Sequence, residues 1–147
     1  MRPQSTLGRV VVIIAAVISA TGMFGIGLWC WLEPQGFARW ANWPAHDHFL
    51  HDAGVFQMAI GLMVAAALWW RDALGVGLAG IALTNVLHAW NHWADREIGG
   101  HPSDPYGLLA VGVLAAVGLV LRLRHKSRSS SGETDRAAEA PSAEVKA

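Results

Sequence analysis

A single cysteine, Cys30, leaves this chain unable to form an internal disulfide. Acidic and basic residues are missing from four long stretches: between Arg9 and Glu33, from Ala53 to Trp70, from Ala73 to Ala94, and from Pro105 to Leu121. There is no glycine-rich phosphate loop, internal repeat or nucleic-acid motif, and the net charge is zero. No Ser/His/Asp pattern marks a nucleophile, and Cys30 has no evident base, so the reading leans away from an enzyme. With 15% charged residues against 53% hydrophobic ones, too little polar surface remains to cover four apolar segments in water.

Those segments have the length for another solvent. A helix needs about 20 apolar residues to cross roughly 30 Å of hydrocarbon. The sequence therefore predicts an all-α fold, a four-transmembrane-helix bundle with spans over 9–32, 46–70, 73–94 and 104–124 in a membrane domain covering 1–125. The remaining 126–147, a basic stop followed by a Ser/Ala/Glu tail, lacks apolar surface and is expected to be disordered. A rival reading of the start is a signal peptide cleaved near Ala20, but the apolar run continues through "TGMFGIGLWCWL", which suits a span. Arg2, Arg9, Arg71, Arg122, Arg124, Lys126 and Arg128 flank one side, and only Arg39 and Arg96 flank the other. The positive-inside rule then places both termini in the cytoplasm, as a multi-pass protein of a bacterial plasma membrane.

Pro34, Gly36 and Pro44 punctuate the first outer loop, with Asn42 placed to cap the second span. Trp29, Trp31, Trp40 and Trp43 suit an interfacial belt. Small residues four apart (Thr21 and Gly25, Ala73 and Gly77, Gly75 and Ala79) permit close contact between helices. "RDAL" is a tight inner turn, so the second and third spans are expected to form an antiparallel hairpin.

The most specific feature is "HAWNHWAD", residues 88–95. Asn85, His88, His92 and Asp95 fall within an arc of about 80° on the third span, with Asn91 beside them. On the second span His48, His51 and Asp52 share a face. A turn pivoting between Arg71 and Asp72 sets His51 level with His92, Asp52 with Asn91 and His48 with Asp95. Every histidine except His125 then lies at the outer end of the bundle.

Imidazole is a ligand for zinc, copper and iron, and two histidines one helical turn apart can share an ion. The expected site is a transition-metal centre (copper, zinc or iron) or a haem, with His48, His51, Asp52, His88, His92 and Asp95 as metal ligands or their orienting partners and Asn85 and Asn91 as cofactor contacts. Haem would require facing histidines across an apolar slot. Two alternatives compete: an accessory protein whose polar stripe is helix-packing glue, and a proton-linked small-solute carrier using His88 and Asn85, which would need a dimer. Gln57 points away from His48 and is read as a buried helix contact outside the site. Partners are the lipid bilayer and a second copy or a redox membrane complex.

In outline, residues 7–124 resemble the small DoxX-like bacterial membrane proteins in length, four spans, glycine-rich helices and polar groups at helix ends such as "FLHDAGVFQMAIG". The resemblance implies a four-helix membrane bundle, in some cases linked with redox or quinone-associated complexes, and transfers no catalytic residue. Membrane desaturases and hydroxylases are similar in using histidine boxes around two irons. They carry HxxHH at the cytosolic face, whereas here no HxxHH occurs and the cluster lies on the opposite side.

Overall fold

The computed structural model describes residues 6–70 and 73–139, with side chains to Arg124. The expected turn pivot at 71–72 and the tail from 140 onward lie outside the described residues. Among the described residues there are five helices and no strands: α1 (Thr6–Leu32), α2 (Pro34–Ala41), α3 (Asp47–Ala66), α4 (Leu74–Ala94) and α5 (Asp104–Glu139). Three of them, α1, α3 and the Asp104–Arg124 part of α5, are long and apolar enough to cross a membrane. The α5 backbone continues helically to Glu139, through a segment for which the sequence predicts no structure. Extending an existing helix costs far less than nucleating one, and Ala, Glu, Lys and Arg are good helix formers.

The first outer loop contains a helix that the proline-based reading misses. Pro34 occupies the first turn of α2, where its missing N–H costs nothing, and Asn42 closes the helix in the left-handed conformation (φ 56°). Asn42 therefore ends α2 rather than starting α3. The cap of α3 is His46, whose Nδ1 accepts from the Phe49 N–H at 3.2 Å. Phe37 and Trp40 of α2 pack on Trp29 of α1, ring centroids 5.7 and 5.2 Å away, which lays α2 across one end of the bundle.

The four long helices pack as α3 on α1, α1 on α5 and α5 on α4, while α3 and α4 scarcely touch. The expected tight hairpin of these two neighbours in sequence is replaced by pairing with other helices. The reason lies on the α1–α3 seam. A Cβ built at Gly27 would stand 2.6 Å from the Gly54 carbonyl oxygen, one at Gly54 would stand 2.6 Å from the Gly27 carbonyl oxygen, and one at Gly61 would stand 2.7 Å from the Phe24 nitrogen. Three glycines thus bring the two backbones to a separation that no side chain allows. The small residues singled out from spacing alone play little part: Gly25 has nothing within 4 Å, and Gly77 makes only ordinary contacts.

Away from α2, the helices meet in a dense core of Val12, Ala15, Ala16, Ala20, Val64, Ala67, Leu74, Leu78, Ile81 and Ala115. Residues of α1 on both sides of Ala20 pack inward, among them Ala15, Ala16 and Cys30. Toward α2 the helices spread around a cavity of about 930 Å³. The outer faces of the long helices are apolar and exposed, as at Val10, Ile13, Ile14, Val17, Leu62 and Val113.

Candidate functional site

The cavity wall on α4 and its C-terminal cap carries Asn85, His88, Asn91, His92 and Asp95, so these residues share one face turned to a common space. His88 and His92, one turn apart, meet Nε2 to Nε2 at 3.2 Å. The other nitrogen of His92, Nδ1, faces the Asp104 carboxylate at 3.4 Å, with side-chain exposures of 15% and 27%. Asp104 opens α5, where an acid suits the positive end of the helix. Its Oδ2 also accepts the His101 backbone N–H at 2.8 Å, and His101 Nε2 lies 2.7 Å from the Trp40 carbonyl oxygen. Trp43 stands edge-on to the His92 ring at 5.5 Å.

The turn before α5 is held to the end of α2 by a reciprocal clasp. Gly100 N donates to Asn42 O at 2.8 Å, and Asn42 Nδ2 donates to Gly100 O at 3.0 Å. Gly100 has φ +82°, where a side chain would be strained. Asn42→Ala loses both the side-chain bond and a residue tolerant of the left-handed conformation, and is expected to cost about 1–2 kcal/mol in equilibrium unfolding. Asn42→Gly keeps the conformation, so about half of that loss should return. If neither variant loses stability, the clasp is not what holds this end together.

The histidines of α3 are placed elsewhere. The α3 residues lining the cavity are Phe49, Leu50, Ala53, Gln57 and Ile60. At about 100° per residue, with Gly54 facing α1, those five fall on one side of the helix and His48, His51 and Asp52 on the other. His48 and Asp52 pair with each other at 3.6 Å, with side-chain exposures of 83% and 59%, and His51 is half-buried outside the cavity. The sequence-derived set of six ligands is therefore not one constellation. Among the described residues no group of three or more His, Cys, Asp or Glu side chains is placed to hold an ion. The imidazoles lining the cavity, His88, His92 and His101, come from α4 and the following turn, so no histidine on α3 faces them across the space.

Gln57 joins the cavity wall for the same reason that His48 leaves it, because the two point apart on α3. Asp104, His101 and Trp43 also belong to the site. Their signal in the sequence was position: all three sit at helix starts or turns on the same end as the α4 stripe. Asn85 is buried and donates through Nδ2 to the Ile81 carbonyl oxygen of its own helix at 2.9 Å, so it makes no bond to a neighbouring helix among the described residues. No family model, curated protein or solved structure matches the chain, and the likeness to DoxX-like proteins stays a resemblance.

Proposed function

We propose that the chain is a four-span protein of a bacterial plasma membrane, with both termini cytoplasmic, that binds a transition-metal ion between His88 and His92 at the outer end of its cavity. α4 serves as the fourth span: its 21 residues reach about 31 Å, and its polar face is spent on the cavity. The apolar, exposed outer faces of the long helices favour a lipid surrounding.

The observation that carries the metal reading is the 3.2 Å between the two Nε2 atoms, with a carboxylate behind one ring. Two nitrogens each about 2.05 Å from a tetrahedral ion stand about 3.3 Å apart. A metal-bound histidine commonly turns its second nitrogen toward a carboxylate, which fixes the tautomer that leaves the first nitrogen free to ligate. Asp104 supplies that group for His92. Two protein ligands leave the remaining coordination positions open toward the cavity. The same contact without an ion is an N–H···N hydrogen bond, which is the packing alternative.

The test is metal content. The protein, purified without a histidine tag in lipid nanodiscs and exposed in turn to copper, zinc and iron, is expected to retain close to one ion per chain after desalting. Retention of none of the three overturns the proposal, as does a Soret band in place of a metal stoichiometry, which would assign haem.

A further inference from the structure

A second polar feature of the cavity takes no part in the histidine pair. On the walls nearest the dense core stand two buried polar residues, Ser19 (3% exposed) and Asn85 (6% exposed). Asn85 uses Nδ2 on the Ile81 carbonyl, and among the described residues neither its Oδ1 nor the Ser19 hydroxyl has a partner. Buried polar atoms without partners are costly and rare, so each pair of this kind calls for a ligand. The space before them, about 930 Å³, is of small-molecule size and far larger than one water requires. Its walls are apolar, among them Ile18, Met23, Ile26, Ile60 and Val111. Among the described residues no Lys or Arg lines it, and the only acids on its wall, Asp95 and Asp104, stand at the α2 end. An anionic headgroup or fatty acid would meet no fixed countercharge, only the imidazoles at the α2 end beside two carboxylates.

We propose that the cavity binds a neutral, hydroxyl-bearing apolar molecule drawn from the membrane. A hydroxyl offers one donor and two acceptor sites. Its proton goes to Asn85 Oδ1, its oxygen accepts from Ser19, and its apolar body fills the space between α1, α3 and α5. α3 and α4 scarcely touch, which leaves the gap between them as the route from the bilayer. This goes beyond the metal reading and needs no ion.

The probe is 4-nonylphenol, titrated calorimetrically into the full chain in phosphatidylcholine nanodiscs stripped with chelator, beside nonylbenzene and 4-nonylbenzoate. The phenol is expected to saturate at one per chain and to bind about tenfold more tightly than either relative, the size expected of one or two buried hydrogen bonds. Ser19→Ala should weaken the phenol several-fold and leave nonylbenzene unchanged. Equal affinity for all three compounds, or no saturable binding, overturns the proposal. The comparison of compounds needs only the native chain, so it stands even where a variant fails to fold. Metal retention in the same nanodiscs is read separately, and either result can fail without the other.

Discussion

Gly54→Ala loses about 3 kcal/mol or more of stability, whereas Gly25→Ala in the same bundle loses nothing. The added methyl at position 54 would meet the Gly27 carbonyl oxygen at 2.6 Å, the Trp31 nitrogen at 3.1 Å and Cys30 Cβ at 3.2 Å. Two of those three are backbone atoms, which no rotamer change can move. The helices must separate, and they lose the contacts that Gly27 and Gly61 also permit. Gly25 faces open space, so a methyl there meets nothing within 4 Å and gains the better helix propensity of alanine. Unfolding in bilayers, read by steric trapping, measures both. A Gly54→Ala protein as stable as Gly25→Ala would remove the α1–α3 seam. With it would go the rotation of α3 that turns His48 and Asp52 from the cavity.

On the metal reading proposed above, Asp104→Asn is expected to weaken metal retention about 10–100-fold and His92→Ala to abolish it. The asparagine is nearly the same shape as the aspartate and keeps an oxygen for the His101 N–H, so the start of α5 survives. What it removes is the negative charge facing His92 Nδ1. Without that charge the ring has less reason to keep its proton on Nδ1 and present a lone pair at Nε2. His48→Ala leaves affinity unchanged, because that ring lies outside the cavity in an exposed pair with Asp52. Competition against a chelator of known affinity orders the four proteins. If Asp104→Asn binds as tightly as the native chain, the carboxylate is a helix-start residue and nothing more. If His48→Ala loses the ion, the site lies on α3.

The parts of this arrangement visible in the amino acids were those set by local composition. Charge-free runs placed the long helices to within a few residues, except that α5 runs on to Glu139 instead of ending at 124, and helical spacing put Asn85, His88, His92 and Asp95 on one face. The rotation of α3 was hidden because it depends on which glycines meet across two helices. Thr21 with Gly25 and Ala73 with Gly77 have the same four-residue spacing as any close-packed pair. Only tertiary contact singles out Gly27, Gly54 and Gly61. Sequence adjacency suggested that α3 and α4 would pack as a hairpin, and the seam with α1 outweighs it. Asp104 was legible as a helix start. Its second role needed the turn through Gly100 to fold back onto Asn42, a contact across 58 positions.

The clasp between Asn42 and Gly100 also has a mechanical meaning. The His92 ring is bounded by Trp43 from one connection, Asp104 from another and His88 from its own helix. A rotation of the ring would have to break these contacts, and Trp43 follows directly on the Asn42 that closes α2. If an ion binds the imidazoles as proposed, it is expected to stiffen the surface above, slowing amide exchange at Asn42, Trp43 and Gly100. On the metal reading, the state of the inner imidazoles would then be felt at the outer surface.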